Sequence, residues 1–255
     1  MRLVDSHCHL YSEEFIKDIN QVIDRAELEG VEKFFMPAVD SKSFPALLKL
    51  EAEFPGKCFA MAGLHPCSVK IDYLDELAFV ENALKKKDFI AIGEIGLDFY
   101  WDKTFTEYQY KSFRMQIEWA LAYDLPIVIH TRNAMPETIA VIKEYASKNI
   151  KGVFHCFGGS YEEAKQIIDL GFYLGIGGVV TYKNSGLAEV LEKINLKYLL
   201  LETDSPYLSP VPFRGKRNES SYIKYIVEKI AQIKSVSIEI VAEATTINAQ
   251  KIFGC

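Results

Sequence analysis

Apolar residues gather in eight short runs along the chain, at 3–7, 31–39, 58–65, 89–97, 126–131, 152–157, 172–178 and 198–204, their starts 20 to 37 residues apart. Within a run the apolar character is nearly continuous rather than alternating. Each run therefore predicts a strand buried on both faces, as in a parallel sheet covered by helices. Between the runs, apolar residues recur at helical spacing, as in Phe113, Ile117 and Leu121, or Ile223, Ile226, Ile230 and Ile233. Thr106 with Gln109 and Ser160 with Glu163 read as capping boxes, and Gly30 and Gly171 as residues that follow helix ends. Eight alternations of strand and helix predict the α/β class, with closure into one (β/α)8 barrel over residues 1–255. An open doubly wound sheet is the alternative. No linker, low-complexity tract or charge block divides the chain, so a single domain is expected.

The polar residues that interrupt this pattern are not scattered. All five histidines, His7, His9, His65, His130 and His155, lie within a residue or two of the end of an apolar run; Asp204 ends one, and Glu94 lies three residues before the end of another. In barrels of this kind the carboxyl ends of the strands carry the active site, so these side chains are expected along one edge of the sheet. His7 and His9 are two residues apart, which on a strand puts both imidazoles on one face, close enough to bind one ion. Asp5 shares that face and is expected to hold an imidazole N–H. Cys8 and Cys156 then point the other way, as small buried hydrophobes. Glu94 lies in an apolar run where an unpaired carboxylate is costly. A metal is its simplest partner, with a salt bridge to an arginine as the alternative. His130 and His155 join Glu94 in a set suited to a second divalent ion, and Asp204 is a further ligand or a base toward a water. Gly93 and Gly96 are read as allowing close backbone packing.

His65 falls into neither ligand set and is expected to touch substrate. Arg132 and the loop that holds Arg214, Lys216, Arg217 and Asn218 bring guanidinium groups toward the same rim. Such forks match phosphate oxygens in pairs. Tyr100 and Trp101 follow the fourth run, where they either stack on a base or anchor a loop.

Composition narrows the setting rather than the function. At 49% hydrophobic and 25% charged residues the chain is an ordinary globular one, and its net charge of −6 argues against diffuse coating of nucleic acid. A local anion site in that loop is compatible with the net charge. Five cysteines, odd in number and without a CxxC, do not indicate a disulfide framework. The opening segment lacks a charged leader followed by an apolar stretch, and nowhere do about 18 apolar residues run together. The cytoplasm is the expected location, with no membrane association and no obligatory protein partner.

Taken in order, DSHCHL, GLHP, GEIGLDFYWD, HTRNA, FHCFGG, ETDSPYL and RGKRN resemble the TatD family of metal-dependent deoxyribonucleases, within the amidohydrolase superfamily of barrels. The resemblance covers nearly the whole chain. It implies a (β/α)8 fold, a DNA substrate and two divalent cations, drawn from Mg, Mn and Zn. It further implies that His7, His9, Glu94 and Asp204 hold one cation while Glu94, His130 and His155 hold the other, with Glu94 as the bridge. Cys67 stands where many relatives have a second histidine, and Glu219–Ser220 stands where a proline often follows the glutamate. Neither departure removes a ligand.

The expected activity is hydrolysis of DNA phosphodiester bonds, as a 3′–5′ exonuclease, by a water that the cations acidify. Asp204 takes the proton, Glu94 controls the cations, and His65, Arg132 and Arg217 steady the phosphate. Two alternatives stand beside it: hydrolysis of another bond in the same site, such as an aminoacyl-tRNA ester or cyclic amide, and a binding barrel whose metals are structural.

Overall fold

The computed structural model describes residues 1–254. Strand and helix alternate as β1 (Leu3–Asp5), α1 (Ile19–Leu28), β2 (Val31–Met36), α2 (Phe44–Glu53), β3 (Cys58–Ala60), α3 (Tyr73–Leu84), β4 (Ile92–Asp98) and α4 (Thr106–Tyr123). The second half continues as β5 (Ile127–Arg132), α5 (Met135–Glu144), β6 (Gly152–Phe154), α6 (Tyr161–Asp169), β7 (Tyr173–Ile176), α7 (Leu187–Lys193), β8 (Leu199–Leu201), α8 (Ile223–Lys234) and α9 (Ile238–Phe253). Among the described residues no helix is long and apolar enough to cross a membrane.

Every strand pair is parallel, in the order β1-β2-β3 and β4-β5-β6-β7-β8. Backbone hydrogen bonds cross both seams between these sheets. Gly93 N–H donates to the Ala62 carbonyl at 2.9 Å on one side, and Ser6 N–H to that of Leu201 at 3.0 Å on the other. The chain approaches itself closely along β4: a Cβ at Gly93 would lie 2.8 Å from that of Val128, and one at Gly96 only 2.0 Å from the His130 carbonyl oxygen. Close packing is thus what both glycines provide.

Apolar side chains form two cores. The larger lies between strands and helices and includes Leu3, Phe34, Ile92, Ile129, Phe113, Ile117, Ile226 and Ile230. The smaller gathers Val4, Phe35, Met61, Ala91, Val128, Val153 and Leu200, with Tyr173 packed against them, and meets Ala249, Ile252 and Phe253 of α9. Alternate residues of each strand thus face opposite cores, which is why the runs read as continuously apolar. The Phe253 ring packs against Phe35 with centroids 4.7 Å apart, and Asn248 donates to the Leu196 and Leu199 carbonyls at 2.8 Å. α9 thereby covers the amino-terminal side of the strands and leaves their carboxyl ends for the polar residues.

One capping box forms as predicted, with Ser160 accepting from Glu163 N–H and the Glu163 carboxylate accepting from Ser160 N–H. The other does not. Thr106 donates instead to the Lys103 carbonyl, and Gln109 turns inward, where its Oε1 accepts Asp98 N–H at 2.9 Å. A buried backbone amide thus takes the side chain that a solvent-exposed helix end would have used. Gly30 and Gly171 follow α1 and α6 at φ of +90° and +86°, in the left-handed region that glycine adopts freely. Cys8, Cys58, Cys67 and Cys156 are free thiols; Cys255 lies outside the described residues.

Candidate metal centre

The strands stop before most of the polar residues that the apolar runs carry. β1 ends at Asp5, so strand alternation is not what brings His7 and His9 together. The chain is steered there by hydrogen bonds to its neighbours: Cys8 N–H to Phe35, His9 N–H to Ser205 and Asp204 N–H to His7. Asp5 does not hold an imidazole. Its buried carboxylate accepts Thr203 N–H at 2.9 Å and the Thr203 hydroxyl at 2.6 Å, clamping the chain after β8 to that after β1. Burial pushes the Asp5 carboxyl up to about 7.

Glu94 sits at the centre, almost fully buried, and its two oxygens divide the histidines. Oε2 lies 3.2 Å from His7 Nε2 and 3.6 Å from His9 Nε2. Oε1 lies 2.8 Å from His130 Nδ1, 2.8 Å from His155 Nε2 and 3.4 Å from His65 Nε2. Asp204 Oδ1 joins the first group, 3.7 Å from His7 Nε2 and 3.6 Å from His9 Nε2. Asp204 reaches that place from the left-handed region, at φ 55°, a conformation costly for a residue with a side chain and one often found at functional sites.

For His9 and His65, a hydrogen bond on the far side of the ring determines what the near side offers. The Tyr11 hydroxyl donates its only proton to the Pro37 carbonyl at 2.7 Å, so it accepts from His9 Nδ1, 3.1 Å away. His9 Nε2 is then left with a lone pair directed at His7, Glu94 and Asp204. His65 is the reverse case. Its Nδ1 accepts Cys67 N–H at 3.0 Å, which places the proton of the neutral ring on Nε2, so His65 presents a donor and not a ligand atom.

His130 spans two carboxylates, Glu94 through Nδ1 and Asp98 through Nε2 at 2.9 Å. Asp98 Oδ1 in turn accepts the N–H groups of Tyr100 and Trp101. His155 stacks on His7 with ring centroids 3.8 Å apart, and its Nδ1 lies 3.5 Å from Glu202 Oε1, an ion-pair distance rather than a hydrogen bond. Glu202 is fully buried, fills the space that the missing side chain of Gly175 leaves and accepts Cys156 N–H.

Proton affinities follow this arrangement. Burial acts to raise Glu94, but His155, His65 and His7 hold it well below the usual carboxylate range. Asp204 is likewise lowered, burial being outweighed by His9, His155 and His7. Burial lowers His7 and His65, whereas carboxylates on both faces outweigh burial to raise His130 and, further, His155.

The donor set fits divalent cations. His7 Nε2 and His9 Nε2 face each other at 3.3 Å with at most one proton between them, and mixed imidazole and carboxylate donors suit Zn or Mn and, with water, Mg. Three triads have donor atoms mutually within 4.8 Å: His7, His9 and Glu94; His7, His155 and Asp204; and His65, Glu94 and His130.

The arginines are distributed differently. Arg132 is exposed and lies over the Tyr100 ring at 3.9 Å, while Arg214, also exposed, lies over Tyr182 at 4.3 Å. Arg217 is not brought to the cluster. Both its terminal nitrogens pair with Asp18 at 2.7 Å, and one also donates to the Glu14 carbonyl. Three residues of the centre went unassigned from the sequence. Asp98 and Glu202 carried the same mark as Glu94, a carboxylate in an apolar run. Tyr11 carried none, because its part depends on Pro37 in a neighbouring segment.

Fold and site together define a class: α/β proteins that collect imidazoles and carboxylates at the carboxyl ends of parallel strands, in a set able to hold divalent ions. The chain belongs to the family described as TatD related DNase, which matches residues 4–254. It is 40% identical over 253 residues to a Bacillus subtilis protein named uncharacterized metal-dependent hydrolase YabD, covering 98% of each chain. It is 32% identical over 258 residues to the 3′-5′ ssDNA/RNA exonuclease TatD of Pantoea ananatis, covering 99% of each. A crystal structure of the TatD homolog YJJV from Escherichia coli superposes with a TM-score of 0.93 at 30% identity, over 100% of this chain and 98% of that one.

Proposed function

We propose that the protein is a metal-dependent nuclease that shortens DNA from its 3′ end, working at two divalent cations bridged by Glu94. The observation that carries this reading is the division of the histidines by Glu94, with Oε2 facing His7 and His9 and Oε1 facing His130 and His155. Asp204 completes the first group. We further propose that the strands close into a (β/α)8 barrel. Hydrogen bonds across both seams support this, as does the smaller core, to which every strand or its flank contributes.

When bound, the cations would polarise a phosphate oxygen and lower the pKa of an attacking water from 15.7 toward ~7. Asp204 Oδ1, beside the same donors, is placed to accept the proton of that water as oxygen attacks phosphorus and the bond to the 3′ oxygen breaks. His65 offers its Nε2–H to a phosphate oxygen. Arg132 and Arg214 offer guanidinium groups at the rim, whereas Arg217 acts by holding its loop against Asp18. The substrate reading draws on the Pantoea ananatis relative, matched along its length.

End-labelled single-stranded and duplex DNA, incubated with Mg or Mn, tests the proposal. Stepwise loss from the labelled strand's 3′ end is expected, abolished by a chelator and by Glu94→Ala. Turnover that survives Glu94→Ala defeats it, as does activity confined to aminoacyl esters or amides in parallel assays.

A further inference from the structure

Two aromatic side chains stand in solvent beside the metal centre without any packing role that explains them. Tyr100 is 52% exposed and Trp101 68% exposed, directly after β4. They meet edge to face, with centroids 4.9 Å apart, and the Arg132 guanidinium lies over both rings, at 3.9 Å from Tyr100 and 5.3 Å from Trp101. Among the described residues no carboxylate pairs with Arg132, so its N–H groups are not committed to an acid. The sites of Arg25, Arg114 and Arg217 differ, since each guanidinium there is held in a fork by a carboxylate.

The platform is also fixed to the centre. Asp98 accepts Tyr100 N–H at 2.9 Å and Trp101 N–H at 3.0 Å through Oδ1, while Oδ2 accepts from His130 at 2.9 Å. One buried carboxylate thus sets both the aromatic loop and a candidate ligand. Gln109 braces Asp98 from behind by bonding its backbone N–H and carbonyl. A loop that merely shielded the centre would turn Trp101 inward; this one holds it outward.

We propose that Trp101 and Tyr100 form a stacking platform for a base of single-stranded nucleic acid, with the Arg132 guanidinium taking the adjacent phosphate. The inference rests on the nuclease reading and adds to it the residues that receive a base near the strand's end. Aromatic stacking is indifferent to base identity because every base presents a π-face. Inside a duplex both faces are occupied by neighbours, so only a base at an end has a face to offer.

The experiment is a binding titration of the metal-loaded protein with phosphorothioate-linked single strands, which resist hydrolysis. Affinity is followed by fluorescence anisotropy of a label on the oligonucleotide. Trp101→Ala is expected to weaken binding about tenfold, and Trp101→Phe to recover most of the loss. A strand with abasic residues at its 3′ end should bind the wild type about as weakly as the intact strand binds Trp101→Ala. Equal affinities for wild type and Trp101→Ala, or indifference to the abasic end, overturn the platform. Because no cleavage is needed, the two readings fail separately. A wild type that stacks bases but never hydrolyses DNA refutes the nuclease alone, and one that hydrolyses DNA with no effect of Trp101→Ala refutes the platform alone. Trp101 is exposed, so Trp101→Ala is expected to fold, and an unchanged thermal midpoint checks it.

Discussion

At the scale of single residues, the hydrogen bonds behind His9 and His65 separate a lone pair from a donor more sharply than proximity does. His65 Nε2 lies 3.4 Å from Glu94, between the 3.2 Å of His7 and the 3.6 Å of His9, and belongs to one of the triads that could hold an ion. Yet its Nδ1 is occupied by Cys67 N–H, so Nε2 carries the proton. His65→Ala is therefore expected to lower turnover by about 10²-fold, the cost of losing one donor to a developing negative charge. Bound metal, measured by elemental analysis after dialysis, should stay nearly unchanged, and its loss would place His65 among the ligands. The sequence made His7, His9, Glu94, His130, His155 and Asp204 legible because a charged or imidazole group at the end of an apolar run demands a partner. It could not show the ring tautomers. These depend on Tyr11, Pro37 and the Cys67 amide, contacts that exist only after the segments have been brought together.

At the scale of elements, the apolar runs located all eight strands but overran the ends of all except β4 and β5, since the same side chains stay buried after the ladder stops. The run at 198–204 yields only Leu199–Leu201 as β8, with Glu202, Thr203 and Asp204 continuing in irregular backbone that the Asp5 clamp secures. His7, His9, His155 and Asp204 occupy these tails, where side chains are freed from strict alternation, whereas Glu94 and His130 lie within β4 and β5. The basic loop shows a second limit. Its charge was legible, but not the carboxylates that meet it: Asp18, at the start of α1, takes Arg217, and Glu219 takes Arg25 in a fork. Arg217→Ala should thus destabilise the fold, by on the order of 0.5–1 kcal/mol for a partly exposed pair. The pH dependence has a definite sign. Hydrogen bonding from Arg217 lowers Asp18 from its ordinary 3.8, so the contribution is full above 3.8 and is lost as pH falls through the folded value. Urea midpoints of wild type and variant should differ at neutral pH and converge toward the acid limit of folding. A gap that persists there would mean that Arg217 stabilises by packing over the Phe15 ring, which it faces at 4.7 Å, rather than through Asp18.

At the scale of the whole molecule, the donors come from both sheets: His7 and His9 after β1, Glu94 in β4, His130 in β5, His155 after β6 and Asp204 after β8. Cations held by these groups would tie the first sheet to the second, across seams already crossed by backbone hydrogen bonds and the Asp5–Thr203 clamp. Binding that favours the folded chain adds RT ln(1 + [L]/Kd), about 2.7 kcal/mol at a hundredfold excess over Kd. For a chain of this length each kcal/mol moves the thermal midpoint by roughly 2–4 °C. Chelation is therefore expected to lower the midpoint by roughly 5–11 °C and to abolish hydrolysis. It should not unfold the protein. The inner core beneath the site, sealed by Phe253 and Ile252 of α9, and the Asp5 clamp to Thr203 involve none of the donors. Far-ultraviolet circular dichroism at 25 °C should accordingly be the same with and without chelator. Collapse of that spectrum on chelation, with residual activity in whatever stays folded, would show that the ions serve the scaffold and not the reaction.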